Sequence, residues 1–257
     1  MNETGEKCQK GIWFDMTKRL FFLKGFAVAK QLVFPKRCPI CDEIVVPYGQ
    51  LICIACEESL HYLSDPICLK CGKSLDNEDT YCYDCLKQNH FFSRGYALFP
   101  YELVSDSLYR FKYKNRPEYG IYYGRAIVKN FAEIIRSIKP EGIIPVPLHS
   151  KKERRRGYNQ AQIIAEEMGR ILEIKVFTDL IKRIKYTTPQ KELDHVSRQN
   201  NLKKAFIISE SVVKLRSIII IDDIYTTGST IDAMAKILQD VGVNNIYFIT
   251  IAIGKSI

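Results

Sequence analysis

The sequence predicts an α/β protein with a mostly parallel sheet flanked by helices, preceded by a small cysteine-rich module. Three observations support this fold class. Four consecutive isoleucines, Ile218 to Ile221, are typical of a strand buried on both faces, as strands of parallel sheets are. From residue 95 onward, short apolar runs alternate with stretches of helical periodicity. Eight of the nine cysteines lie between residues 38 and 85.

Length limits the number of domains, and charge indicates the kind of partner. The chain has 257 residues, which is room for one large domain and a small one. Its formal net charge of +9 predicts a polyanionic partner, such as a phosphorylated ligand, nucleic acid or an anionic membrane surface. The basic residues form several clusters, and a solvated face accounts for part of the excess. Composition alone therefore leaves these partners open.

The N-terminal region, residues 1–34, is apolar but has no run long enough to span a membrane. Its longest apolar run, residues 20–34, is interrupted by Lys24 and Lys30. A small-residue triplet at 27–29 resembles a signal-peptide cleavage site, but the apolar core before it is short. We therefore expect a cytoplasmic protein. We predict a helix packed on its own protein, with attachment to the membrane surface as the alternative.

The cysteines predict a zinc-binding module over residues 35–90. Each of four C-x2-C pairs can place two thiolates on one metal, which is the spacing of zinc ribbons. The metal ligands are predicted to be Cys38, Cys41, Cys53, Cys56, Cys68, Cys71, Cys82 and Cys85. Two structural Zn2+ sites formed by sequential pairing are expected, and interleaved pairing stays open. Disulfides and an iron–sulfur cluster fit the spacing less well, and Cys8 is expected to be a free thiol.

The remaining residues, 91–257, predict alternating strands and helices. Strands are predicted at Gly95 to Tyr101, Gly142 to Leu148 and Ile218 to Ile221. Helices are predicted at Glu102 to Tyr113, Tyr119 to Ile138, Ala161 to Leu172 and Thr230 to Asp240, the last with Ala233, Ile237 and Val241 on its apolar side.

Two loops of this domain have the chemistry of anion sites. The first, residues 149–160, carries five basic residues between a strand and a helix, where open α/β sheets bind ligands. The second, residues 224–230, is rich in Thr, Ser and Gly and opens a helix, so its backbone N–H groups and the helix dipole favour a phosphate. Asp222 and Asp223 are predicted to enter this second loop, where sugar hydroxyls or a divalent metal would suit two carboxylates.

The strand, the two acids and the Thr-Gly-Ser-Thr loop resemble the phosphoribosyl pyrophosphate (PRPP) motif of type I phosphoribosyltransferases. The Arg-Arg-Arg-Gly-Tyr-Asn-Gln segment at 154–160, Thr-Pro-Gln at 188–190 and Arg-Gln-Asn-Asn-Leu at 198–202 occur in order behind the cysteine block. Together these motifs resemble the ComF family of competence-associated phosphoribosyltransferase-like proteins. The resemblance covers the chain from about residue 34 to its end, and it implies a phosphoribosyltransferase-like sheet with a double zinc ribbon.

The resemblance also implies roles for individual residues. The PRPP-binding residues would be Asp222 and Asp223 at the ribose hydroxyls, with Thr226, Thr227, Gly228, Ser229 and Thr230 at the 5-phosphate. The pyrophosphate or a neighbouring polyanion would be held by Pro147, His149, Ser150, Lys151, Arg155, Arg156 and Asn159, with Mg2+ accompanying PRPP. Residues 186–198 would form a cover over the site, or a plain surface loop. Purine-salvage relatives often carry an acid where this chain has Thr226, which argues against purine salvage and leaves the catalytic residues unknown.

Three functions stay open from the sequence. The first, implied by the family, is a PRPP-binding protein of natural transformation that handles incoming single-stranded DNA at the cytoplasmic side of the membrane. Its partners would include competence-machinery proteins such as a helicase or a membrane DNA channel. The second is an active phosphoribosyltransferase that acts on an unidentified small nucleophile. The third is a non-catalytic PRPP sensor whose zinc module binds a protein.

Overall fold

A computed structural model describes residues 35–47, 49–184, 205–209 and 215–254. The helices are α1 (Ile54–Ser59), α2 (Tyr83–Lys87), α3 (Tyr101–Tyr113), α4 (Glu118–Ile138), α5 (Ser150–Arg156), α6 (Gln160–Leu172) and α7 (Ser229–Asp240). The strands are β1 (Arg94–Pro100), β2 (Gly142–Pro145), β3 (Ile181–Arg183), β4 (Phe206–Ile208), β5 (Ser217–Tyr225) and β6 (Asn245–Ile253). The predicted N-terminal helix, Cys8 and the predicted cover at 186–198 lie outside the described residues.

The main sheet has four parallel strands in the order β1-β6-β5-β2. Ile218 to Ile221 in β5 are fully buried, which confirms the predicted buried strand of a parallel sheet. Helices α4 and α6 pack together, α6 lies against β5 and β2, and α3 lies against β1 and β6. Strands β3 and β4 form a separate antiparallel pair beside α7. Among the described residues, no helix combines the length and apolar character needed to cross a membrane.

Two predicted boundaries are wrong at the edge of the sheet where its strands end. Asp222 and Asp223 belong to β5 and not to the following loop, because β6 continues the pairing as far as Tyr225. The segment predicted as a basic loop contains α5, which ends at Gly157 in a left-handed conformation. The Lys, Glu and Arg residues of this segment are good helix formers, so their charge does not prevent a helix.

The predicted apolar side of α7 is also wrong. Its buried apolar residues are Ile231, Met234, Ala235 and Leu238, whereas Val241 is exposed. Both sides of this helix carry apolar residues, and the side with spacing i, i+3, i+4 and i+7 packs on the protein.

Each half of the cysteine module uses the same turn. The Asp42 N–H donates to the Cys38 carbonyl (3.0 Å) in the first half, and the Gly72 N–H donates to the Cys68 carbonyl (2.9 Å) in the second. Asp42 and Gly72 both have positive φ, +61° and +82°. Each turn therefore folds the backbone so that a C-x2-C pair presents both sulfur atoms on one side.

The two halves of the module contact different parts of the α/β domain. The first contacts helices, because the Arg110 guanidinium of α3 donates to the Ile40 carbonyl (2.5 Å) and the Tyr119 hydroxyl of α4 donates to Asp42 Oδ1 (2.6 Å). The second contacts the sheet, because the Gly95 N–H of β1 donates to the Lys70 carbonyl (2.8 Å). The second half is therefore joined directly to the strand layer that positions the ligand loops.

Candidate ligand site and cysteine clusters

The eight predicted metal ligands form two clusters in sequential pairing. One cluster is Cys38, Cys41, Cys53 and Cys56, and the other is Cys68, Cys71, Cys82 and Cys85, with the sulfur atoms of each within 4.8 Å of one another. The Cys41 and Cys53 sulfurs are 3.9 Å apart, and those of Cys71 and Cys82 are 3.6 Å apart. A tetrahedral zinc with Zn–S bonds of about 2.3 Å separates its sulfurs by about 3.8 Å. The clusters fit zinc ribbons, and the pairing, which the sequence left open, is sequential.

The acidic pair lies at the carboxyl end of β5, partly buried. The Asp223 N–H donates to Asp222 Oδ1 (2.8 Å), and Lys112 Nζ of α3 lies 2.9 Å from Asp223 Oδ1. Burial, followed by repulsion from the Asp223 carboxylate, raises the pKa of Asp222 to about 7. A carboxyl group with such a pKa is poised to ionise when a cation or a hydroxyl donor comes next to it.

Basic side chains from three elements converge near these acids. Burial lowers the pKa of Lys152, and repulsion from nearby Arg183, Arg156, Arg155 and Lys112 lowers it further. Burial also lowers the pKa of Arg183, whereas attraction to Asp222 opposes the effect. We call Lys112, Lys152, Arg155, Arg156 and Arg183 the cation cluster. Because cations repel one another, gathering five of them favours a bound polyanion.

The segment after β2 places its predicted residues beside the acids. The Val146 N–H donates to the Ile221 carbonyl (2.8 Å), immediately before the acidic pair on β5. Pro147 follows, and the His149 Nδ1 then accepts from the Lys151 N–H (3.2 Å) and caps α5 at Ser150. The chain thus brings residues 147–151 to the same edge of the sheet as Asp222.

Asn159 and Arg156 hold the corner between α5 and α6. The Asn159 side chain is buried, accepts from the Ala161 N–H (3.1 Å) and donates to the Val146 carbonyl (3.0 Å). The Arg156 Nη1 donates to Gln160 Oε1 (2.8 Å). These contacts fix the position of α5 relative to β2. Direct binding of pyrophosphate by either side chain stays a prediction.

The loop from Thr226 to Thr230 joins β5 to α7 through a left-handed glycine. Gly228 has φ +76°, and a Cβ there would lie 2.5 Å from the Tyr225 hydroxyl. The Thr227 and Ser229 hydroxyls are 2.8 Å apart, which places two hydroxyl groups together at the start of α7. The predicted phosphate residues therefore lie at the start of a twelve-residue helix, next to the acidic pair.

Asp232 is a residue that sequence reasoning missed. It is buried in the first turn of α7 and accepts hydrogen bonds from His90 Nδ1 (2.8 Å), the Phe91 N–H (3.0 Å) and Gln88 Nε2 (3.3 Å). An acidic residue in the first turn of a helix is visible in the sequence, but its three donors are about 140 residues away along the chain. Asp232 ties the ligand loop to the segment that leaves the second cysteine cluster.

Tyr225 makes a second connection between that cluster and the loop. Its ring stacks on Phe248 (centroids 4.7 Å apart) and meets the edge of Phe92 (6.2 Å). Burial raises the pKa of the Tyr225 phenol, and the nearby Cys71 and Cys85 raise it further. One side chain therefore lies close to both the second cluster and Gly228.

Comparison with known proteins identifies the family. The double zinc ribbon domain matches residues 29–86, and the phosphoribosyl transferase domain matches residues 126–256. Competence protein F of Haemophilus influenzae is 33% identical over 205 residues, which are 76% of this chain and 87% of that protein. This chain belongs to the ComF family. The predicted family and the predicted phosphoribosyltransferase-like class with zinc ribbons are confirmed.

Other proteins similar to this ComF-family chain are named as a competence protein and as a DNA utilization protein. Competence protein ComFC of Bacillus subtilis is 24% identical over 208 residues, which are 74% of this chain and 79% of that protein. DNA utilization protein YhgH of Escherichia coli (strain K12) is 26% identical over 211 residues, which are 80% of this chain and 92% of that protein. The similarity covers most of each relative.

Proposed function

We propose that this ComF-family protein binds PRPP at the carboxyl end of β5 and takes part in DNA uptake, where it handles incoming single-stranded DNA on the cytoplasmic side of the membrane. One observation carries the PRPP part. The acidic pair, the cation cluster and the loop around Gly228 meet at one edge of the sheet. A phosphorylated ribose with a pyrophosphate group needs all three: acceptors for its hydroxyls, hydroxyl and N–H donors for a phosphate, and cations for the pyrophosphate.

The contacts suggest how each group of PRPP would be bound. Asp222 and Asp223 would accept from the ribose hydroxyls, and Lys112 would stay close enough to compensate their charge. The 5-phosphate would lie at the start of α7, and the pyrophosphate would lie toward α5 and β3. Mg2+, when bound with PRPP, supplies positive charge that neutralises the pyrophosphate oxygens.

The relatives support the DNA part of the proposal. Two carry the word competence in their names and one is a DNA utilization protein. The net charge of +9 suits a polyanionic partner of this kind. A helicase or a membrane DNA channel would be the protein partner expected at this step of uptake.

Titration calorimetry with PRPP and Mg2+ tests the PRPP part. We expect saturable binding by the wild type and at least a tenfold weaker Kd for Asp223→Asn, because one acceptor charge beside Lys112 is lost. Asp240→Asn is the matched control, since Asp240 is exposed at the far end of α7 and pairs with Lys236. Equal affinities for Asp223→Asn and the wild type would place the ligand elsewhere.

A cleft favours active phosphoribosyl transfer as the second candidate function. In phosphoribosyl transfer the C1–O bond to pyrophosphate breaks, and the acceptor bonds to C1 of the ribose from the side opposite the departing pyrophosphate. The strand order places β2 on one side of β5 and β6 and β1 on the other. A cavity of about 520 Å³ lies at the carboxyl ends of β1 and β6, lined by Pro100, Ile253, Gly254 and residues of the second zinc ribbon.

Pyrophosphate release separates the two candidates. PRPP and Mg2+ are incubated with the protein, alone and with a panel of free nucleobases, and pyrophosphate is measured. Release that depends on one acceptor supports transfer. Binding of PRPP without any release supports a protein that binds PRPP without consuming it.

A further inference from the structure

Two exposed tyrosines on α3 form an aromatic surface beside the ligand site. Tyr109 and Tyr113 are 54% and 49% exposed, and their ring centroids lie 5.2 Å apart with the planes tilted by 46°. The i, i+4 spacing places both rings on one side of the helix. Each ring is about half exposed, so part of its apolar face is available to a partner.

Cations accompany these rings. Lys112 follows Tyr109 by three residues on α3, one helical turn further along, and its Nζ lies 2.9 Å from Asp223 Oδ1. The Arg156 guanidinium lies 5.1 Å from the Tyr113 ring centroid. Arg155 is exposed next to Arg156 on α5. We call Tyr109, Lys112, Tyr113, Arg155 and Arg156 the tyrosine strip. It continues the cation cluster outward from the acidic pair onto the surface.

Other residues of α3 fix its orientation. Arg110 on this helix donates to the Pro39 and Ile40 carbonyls of the first zinc ribbon (3.2 and 2.5 Å). Val104, Leu108 and Phe111 are buried. Contacts with the zinc ribbon and the core thus orient α3 and present Tyr109 and Tyr113 outward.

From this arrangement we infer that the tyrosine strip binds single-stranded DNA and that the bound strand competes with PRPP. The inference rests on the proposed function. Sites for single strands combine aromatic side chains, on which bases stack, with cations that follow the phosphates. A duplex hides its base faces inside the stack, and an acidic peptide or an anionic membrane would use the cations without the rings. The pairing of exposed rings with cations therefore favours a single strand.

Competition follows from the shared cations. Lys112, Arg155 and Arg156 belong both to the cation cluster and to the tyrosine strip. A strand phosphate next to these side chains occupies charge that the pyrophosphate of PRPP would otherwise use. The two ligands therefore exclude one another, and PRPP sets how much of the strip is open to DNA.

Fluorescence anisotropy with a labelled oligo(dT) of about 20 nucleotides tests the strip. Base–aromatic stacking contributes about 1–3 kcal/mol per base, so Tyr109→Ala/Tyr113→Ala is expected to weaken Kd by tenfold or more. Tyr109→Phe/Tyr113→Phe keeps both rings and should stay within threefold of the wild type. Tyr101→Ala is the matched control, because Tyr101 is exposed on α3 in its first turn, away from the strip.

The competition is measured by repeating the titration with increasing PRPP and Mg2+. We expect the apparent Kd for oligo(dT) to rise in proportion to PRPP, and inorganic pyrophosphate to act in the same way. Equal binding by the Ala and Phe double variants refutes the strip. Equal binding of a duplex, of polyglutamate or of vesicles containing anionic lipid, with the same dependence on the tyrosines, would assign the strip to that partner instead.

These outcomes separate the strip from the PRPP proposal. If PRPP alone gives no heat with the wild type while oligo(dT) binding still depends on the tyrosine rings, the PRPP site fails and the strip stands. If PRPP binds and oligo(dT) binds equally at every PRPP concentration, the PRPP site stands and the shared cations are refuted.

Discussion

Replacement of Gly228 by alanine gives the most direct test of the ligand loop. The residue has φ +76°, a conformation that costs an ordinary residue about 1–2 kcal/mol. The new Cβ would also lie 2.5 Å from the Tyr225 hydroxyl and 3.0 Å from its Cζ. Tyr225 has little room to move, because its ring is 3% exposed and stacks on Phe248.

The expected magnitude combines these two effects. The clash adds a cost of about 1–3 kcal/mol, as overpacking of a buried site does. Together with the backbone strain, the loop conformation becomes less favourable by about 2–5 kcal/mol. The lower bound alone corresponds to about a thirtyfold loss of PRPP affinity. The double variant Gly228→Ala/Tyr225→Phe removes the hydroxyl. It should recover part of the PRPP affinity lost through the clash, but none of the affinity lost through backbone strain.

Titration calorimetry with PRPP and thermal melting of each variant measure these effects. Gly242→Ala is the matched control, since Gly242 has φ +96° just after the other end of α7 and a Cβ there meets nothing within 4 Å. It should lower the melting temperature without changing PRPP affinity. Affinity of Gly228→Ala equal to that of the wild type would refute the loop assignment. No recovery in the double variant would refute the steric part.

Three further predictions concern the rest of the site. Asp232→Ala should lower the free energy of unfolding by about 3 kcal/mol in urea titrations, because three donors lose their acceptor, and Asp232→Asn should cost less. The folded-state pKa of Asp222 is raised to about 7, so its contribution to the free energy of unfolding falls as pH rises from about 4 to 7. Asp222→Asn should reduce this pH dependence of the free energy of unfolding, measured by urea titrations at several pH values. Elemental analysis should find two zinc ions per chain, and a chelator should lower the melting temperature; one zinc per chain would contradict two independent clusters.

Much of the fold could be predicted from local pattern. The isoleucine run identified one of the two inner strands, and the C-x2-C spacing identified all eight cysteine ligands but left their pairing open. The errors occur where contacts between elements distant in sequence determine where a strand ends or which side of a helix is buried. β5 extends through Asp222 because β6 pairs with it there, and no signal within β5 itself carries that information.

The ligand site shows the same division between local and tertiary information. The acidic pair and the loop around Gly228 are contiguous in sequence and could be recognised. The cation cluster is not, because Lys112, Lys152 and Arg183 come from three separate elements that meet only after folding. Asp232 was missed because its donors, His90 and its neighbours, lie about 140 residues before it in the sequence.

The hydrogen bonds of Asp232 have a thermodynamic consequence. They join the first turn of α7, which begins at the ligand loop, to the chain leaving the second cysteine cluster, and Tyr225 lies close to both. If metal in that cluster steadies the loop for a phosphorylated ligand, the ligand must by reciprocity hold the metal more tightly. A high concentration of the phosphorylated ligand would then slow loss of metal from the second cluster. Loss of that metal would in turn weaken binding of the ligand.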